Sequence, residues 1–259
     1  MRVTLNGFVV ADEDAWIYEL FGYKVFSPET IRQAVRDNPE GEELVFEVNS
    51  GGGSVFAGFE MYSVIRSAKC ATVCEVQSLG ASAASTFIQG CNRVLVSPVA
   101  QIMIHLPSCA TRGDEPEHQQ SIKILRSIKE SILNGYEGRS RGRKSRDELS
   151  QMMDAETWLT AQEAVDAGVA DAVLYEDDAN VDPQNIMNSV GAGLRAMVSG
   201  SGGLPAANAL REEYRRVNGT LPTPLAGDDD SSPAGGDPAV DTDDAWRAEA
   251  RLAIEKNRF

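Results

Sequence analysis

A serine, a histidine and a run of glycines are the residues of this chain whose types and spacing suit acyl-transfer chemistry. Ser82 lies in "VQSLGASAASTFIQG" (76–90), a stretch crowded with small residues that follows the apolar, strand-like "ATVCEV". A serine at a tight strand-to-helix turn exposes its hydroxyl, and small neighbours let the backbone bend without a clash. "GASAA" is one residue short of the G-x-S-x-G elbow, and small residues at such a join also serve plain packing. A nucleophilic serine needs a base. The chain has two histidines. His105 ends the apolar run "QIMIHLP", whereas His118 falls on the polar side of a helical segment, so His105 is the better-placed base. A histidine at a strand end is also a common hydrogen-bonded core residue. "NSGGGSVFAG" (49–58) supplies backbone that can approach a substrate oxygen, or a simple turn. Neither nucleotide-binding glycine pattern is complete there.

These residues need elements to hold them. "SPETIRQAVRDNPEG" reads as a helix with Ser27 at its N-cap and Pro28 in its first turn. "VTLNGFVV" and "WIYEL" read as short β-like pieces, and "LVFEVN" (44–49) as a strand broken by "SGGGS". "VFAGFEMYSVIRSA" has helical apolar spacing through Val55, Phe59, Tyr62, Val64 and Ile65. "NRVLVSP" and "QIMIHLP" are further strands. A helix over about 115–137 carries Ile122, Leu125, Ile128, Ile132, Leu133 and Tyr136, and a basic patch, "RSRGRKSR", follows it. Ser145 and Glu148 form a capping-box pattern. "TWLT", "AQEAVDAGVAD" and "AVLY" read as strand, helix closed by Gly168, and strand. Such alternation predicts an α/β fold of βαβ units with a buried, largely parallel sheet.

Composition narrows the class. The chain has 259 residues and a formal charge of −15. An acidic surface repels phosphate, so no nucleic-acid partner is expected. No apolar run reaches the roughly 20 residues that span a bilayer, and no signal-type core develops near the N-terminus, so a cytoplasmic protein without a membrane partner is expected. The four cysteines (Cys70, Cys74, Cys91, Cys109) form no C-x-x-C pair and read as small buried hydrophobes; no metal and no cofactor are expected. The sequence predicts a domain over 1–190, a mostly disordered acidic Gly/Pro/Asp-rich linker over 191–243, and a short amphipathic helix over 244–259. The tail suits a tether, an autoproteolytic segment or a solvated extension.

The ordered segments "NSGGGSVFAG", "GASAAS", "MIHLP" and "TWLTAQEAVDAGVAD" resemble the ClpP-type serine peptidases, over roughly residues 1–175, with the phage-encoded ClpP-like head maturation (prohead) proteases as the nearest branch. The resemblance implies a ClpP/crotonase-like spiral of βαβ units and a Ser-His-Asp triad. By position it makes Ser82 the nucleophile, with Ser85 second, and His105 the general base. It makes the amides of Gly53 and Ala83 the oxyanion hole. Where the family has Asp, two residues before the aromatic, this chain has Glu156; Asp154 is the alternative. Asp171, in "G-x-x-D", reads as structural. The resemblance further implies a homo-oligomeric ring packed through the helix from 115. It implies capsid, scaffold or portal proteins as substrates, in the host cytoplasm or within the prohead. Three rivals stand beside it: a crotonase-type acyl-CoA enzyme, a Ser–Lys peptidase, and a catalytically weak or inactive capsid-assembly scaffold. The lysines Lys69, Lys123 and Lys129 match no Ser–Lys motif.

Overall fold

The computed structural model describes residues 1–175, 204–218 and 221. Among these, 1–15 and 24–175 form one unit, and 16–23 with 204–218 form another. The element order begins β1 (Arg2–Val9), α1 (Asp12–Leu20), β2 (Val25–Phe26), α2 (Pro28–Asp37), β3 (Leu44–Gly53), α3 (Val55–Ser67) and β4 (Thr72–Ala81). It continues with α4 (Ala83–Phe87), β5 (Arg93–Val96), β6 (Gln101–Ile104), α5 (Glu115–Ser140), α6 (Arg146–Asp154), β7 (Thr157–Thr160), α7 (Ala161–Ala167), β8 (Ala172–Val173) and α8 (Ala207–Asn218).

The sheet runs β2-β1-β3-β4-β5-β8 with every pair parallel. This is the expected α/β arrangement. Both faces are covered, so the strands read as apolar runs: Leu5, Phe46, Val48, Cys74, Val76, Val94 and Val96 are all fully buried. β4 changes partner along its length. Its first half, Val73–Val76, pairs with β5, and its last residues, Leu79–Ala81, pair with β6. A register shift in the β3–β4 pairing separates the halves. β7 then adds to β6 as the single antiparallel pair among the described strands.

Several helix ends follow local rules. α2 begins after Ser27, with Pro28 in its first turn and reciprocal Ser27–Thr30 capping. Ser145–Glu148, Thr160–Glu163 and Asp114–Glu117 are capping boxes. Gly168 ends α7 at φ 75°, where a Cβ would meet the Ser140 backbone at 2.8 Å.

Other expectations change. "WIYEL" lies inside helix α1 and not in a strand. Its aromatic and β-branched residues favour extended chain locally, but the acids Asp12, Glu13 and Asp14 occupy the first turn, where they complement the helix dipole. β3 does not stop at the glycines; it runs through them to Gly53. The buried face of α3 is Ala57, Gly58, Met61 and Ile65, so of the apolar set expected there only Ile65 is fully buried. α5 buries Ile128, Ile132, Leu133 and Tyr136, while Ile122 is 42% exposed. The basic patch is largely spoken for. Arg139 pairs with Asp171 at 2.5 Å, Arg143 donates to the Val165 carbonyl at 2.9 Å, and Arg146 pairs with Glu130 and Glu137 at 2.6 Å each.

In the second unit, Tyr18 donates to the Pro205 carbonyl at 2.8 Å and meets Tyr23 edge-on, with ring centroids 6.1 Å apart. The Arg211 guanidinium lies 5.9 Å from the centre of the Trp16 ring. Residues 207–218, within the segment expected as linker, form a helix that buries Ala207, Leu210 and Tyr214. Most of the expected 191–243 linker, and all of the expected 244–259 helix, lie outside the described residues.

Candidate active site

Parallel register brings the serine and histidine together. Ala81 pairs with Met103 at the C-terminal ends of β4 and β6, and the Ser82 amide donates to the Met103 carbonyl at 2.9 Å. Ser82 directly follows β4, and His105 directly follows β6, at the same end of the sheet. There Ser82 Oγ and His105 Nε2 lie 2.7 Å apart.

Ser82 turns sharply at this point. Its φ is 55° and its ψ −125°, a conformation that a residue with a Cβ adopts only when its surroundings impose it. α4 starts at the next residue, and Ala83, Ala84 and Ser85 are buried beneath the turn. Ser85 is fully buried; its hydroxyl donates to the Ser82 carbonyl at 2.6 Å and lies 2.7 Å from the Tyr136 hydroxyl. Ser85 is not among the residues that line the cavity with Ser82.

The glycine run has a stated steric cause. Ser50 pairs with Gly80, so Gly52 is level with Ser82. A Cβ on Gly52 would lie 2.6 Å from Ser82 Cβ, and a Cβ on Gly53 would lie 2.1 Å from the Val9 carbonyl oxygen. Both have positive φ, 93° and 147°. Gly53 and Ala83 line the same cavity as Ser82 and His105. That cavity has a volume of about 330 Å³, and its walls include Val55, Phe56, Leu125, Ile128, Ile132 and Tyr136.

His105 is half-buried, and burial lowers its pKa below the ordinary imidazole value; the charge of Glu156 opposes that shift. Glu156 therefore sits within electrostatic reach of the ring. It is solvent-exposed, follows α6 at φ 49°, and makes no hydrogen bond with His105. Asp154 is engaged elsewhere, in an ion pair with Lys129 at 2.6 Å. His118 is hydrogen-bonded to Thr111 at 2.9 Å on the exposed start of α5.

Asp171 accepts from the Val94 amide at 2.7 Å and from Arg139, whose side chain is 6% exposed. It ties β5 to α5, as its structural reading requires. Arg139 was hidden within a run of basic residues, and Gly52 within a run of glycines; composition alone distinguishes neither from its neighbours. Cys74 and Cys91 are buried, and burial raises both thiols, Cys91 to about 12. Cys109 is exposed and lines the cavity, against the expectation of burial. Among the described residues no group of His, Cys, Asp and Glu is placed to hold a metal ion, and no helix is long and apolar enough to cross a membrane.

Comparison with known proteins gives a consistent family. The family model "Clp protease" matches residues 33–177, more than half of the chain. The ATP-dependent Clp protease proteolytic subunit 1 of Chlamydia abortus (strain DSM 27085 / S26/3) is 32% identical over 142 residues, which is 53% of this chain and 72% of that protein. The proteins of the same name from Chlamydia pneumoniae and Chlamydia trachomatis serovar D are 30% identical over 139 residues and 31% over 144; each match covers 72% of the relative. The strand-end geometry and these matches lead to one statement: the chain belongs to the Clp protease family.

Proposed function

We propose that the chain is a serine endopeptidase, with Ser82 as nucleophile, His105 as general base and Glu156 as the carboxylate that orients the imidazole. The observation that carries this reading is the 2.7 Å approach of Ser82 Oγ to His105 Nε2 at the mouth of a cavity. In the reaction, Ser82 Oγ attacks the peptide carbonyl carbon while His105 Nε2 takes the hydroxyl proton. The carbonyl oxygen becomes an oxyanion, held by the amides of Gly53 and Ala83. His105 returns the proton to the departing amine, leaving an acyl ester on Ser82. Water, deprotonated by the same imidazole, then releases the acid. Glu156 favours the tautomer with the proton on Nδ1 and offsets the positive charge that forms on the ring.

The names of the relatives support the peptidase reading. The finer setting, processing of phage capsid, scaffold or portal protein within a homo-oligomeric ring, rests on the order of the four motifs and on the exposed apolar positions at the start of α5.

Reaction with a fluorophosphonate, followed by intact mass, tests the core of the proposal. One adduct is expected on Ser82, and none on Ser82→Ala, whose peptidase activity falls by a factor of about 10⁴ or more. A wild-type protein that binds CoA and takes no label supports the crotonase-type alternative. A Ser82→Ala protein that still supports full capsid processing supports the scaffold reading.

A further inference from the structure

Ser85 carries no role in the mechanism above, yet it is fully buried and its hydroxyl is engaged twice. It donates to the Ser82 carbonyl at 2.6 Å and lies 2.7 Å from the Tyr136 hydroxyl. A carbonyl oxygen only accepts, so the single Ser85 proton points to Ser82. The Ser85 oxygen must then accept from Tyr136. With Ser85 donating to Ser82, the chain runs from Tyr136 O–H to Ser85 Oγ–H to Ser82 C=O. Tyr136 is 1% exposed, and burial raises its pKa, so it keeps the proton it donates.

The end point of this chain is what separates it from ordinary packing. The Ser82 carbonyl and the Ala83 N–H belong to one planar peptide unit. A hydrogen bond accepted at the oxygen withdraws charge from the amide and strengthens its N–H as a donor, and successive hydrogen bonds polarise each other in a dry interior. The Ser82 amide is fixed at the same time by its 2.9 Å bond to the Met103 carbonyl. The strained turn is thus held on both sides.

We infer that Ser85 and Tyr136 are positioning residues that orient and polarise the Ser82–Ala83 peptide as an oxyanion donor, linking α5 to the reaction centre; this rests on the serine-peptidase reading above. The relay runs through two hydroxyl side chains, one on α4 and one on α5, while Thr86 Oγ1 makes a longer approach to the same carbonyl at 3.5 Å.

The test uses the full chain in its assembled form, with a fluorogenic peptide, a peptide aldehyde and the matching product peptide as probes. Ser85→Ala removes both links made by Ser85 and leaves only the longer Thr86 approach at 3.5 Å, and Tyr136→Phe removes the outer link while keeping the ring. Loss of a whole oxyanion donor costs about 10²–10³ in kcat, so weakening one should cost about tenfold in Ser85→Ala and about threefold in Tyr136→Phe, with KM within about twofold. The aldehyde, which forms a hemiacetal oxyanion on Ser82, should lose affinity by a similar factor, and the product peptide should not. Ser85→Thr, which restores the hydroxyl, should recover kcat. Unchanged kcat and aldehyde affinity in folded Ser85→Ala or Tyr136→Phe, even with a lowered Tm, would overturn the relay. So would equal losses for aldehyde and product peptide. A wild-type protein that neither cleaves peptide nor takes a fluorophosphonate overturns the hydrolase reading itself, a distinct result.

Discussion

At the scale of single residues, the Ser82–His105 pair makes its own pH prediction. Burial disfavours the charged imidazole, and Glu156 only partly offsets this. The base form of His105 therefore persists below the ordinary histidine pKa. The acid limb of kcat/KM is expected at an apparent pKa below the usual 6.5 of the free side chain. Glu156→Gln removes the charge that raises this pKa, so the limb should move further to acid while kcat falls. A limb that stays in place would remove Glu156 from the proposed triad. Asp154→Asn separates the two acids: with Asp154 paired to Lys129, its kcat and pH profile should match wild type. The same histidine has a stability consequence. The folded pKa lies below the unfolded one, so the unfolded chain binds the proton first as pH falls. His105 is neutral in terms of stability above its unfolded pKa, and it costs stability on acidification through and below that value.

At the scale of elements, two strand ends and one strand of glycine build the site. Ser82 directly follows β4 and His105 directly follows β6, and the register of the two strands decides the distance between them. β3 must pass beside Ser82 without a side chain at Gly52. Gly52→Ala places a methyl 2.6 Å from Ser82 Cβ and forces φ 93° on a residue with a Cβ. The backbone strain alone costs about 1–3 kcal/mol. Chemical denaturation should show at least that loss, together with near-complete loss of fluorophosphonate labelling. Arg139 is the other structural keystone between elements. It joins α5 to Asp171 and to the carbonyls of Gln89 and Cys91. The Arg139 side chain is 6% exposed but Asp171 28%, and Asp171 keeps its bond from the Val94 amide, so Arg139→Met is expected to destabilise by about 1–3 kcal/mol, read in the same denaturation experiment.

At the scale of the whole molecule, α5 is buried only along its C-terminal half. Ile122 is 42% exposed and Ile124 46%, on a helix whose first residues, 115–120, are all exposed. Exposed apolar residues on one helix suit a partner surface, and the proposed ring supplies a second copy of the chain. Ile122→Asp should then lower the native mass toward smaller assemblies, measured by native mass spectrometry, while Ser82 and His105 remain in place. An unchanged native mass would argue against assembly through this helix. The formal charge of −15 is compatible with such assembly only where apolar contact outweighs mutual repulsion, so the assembly should strengthen with added salt.

Local chemistry made much of this protein legible from sequence. The capping box at Ser145, the Pro28 helix start and the Gly168 stop are decided within a few residues, because the hydrogen bonds that define them are local. The alternation of apolar runs and helices also fixed an α/β class, since a parallel sheet needs crossovers. What the linear chain did not carry was any relation between distant positions. The 2.7 Å approach of Ser82 to His105, the engagement of Asp154 by Lys129, the burial of Arg139 and the hydroxyl chain from Tyr136 join residues 23, 25, 32 and 51 positions apart. The helix at "WIYEL" and the extended glycines of β3 went against local preference. Residue types named the available chemistry, but only the parallel register of β4 with β6 and the packing of α5 against α4 set the distances at which that chemistry operates, because both depend on contacts formed after the chain has folded back on itself.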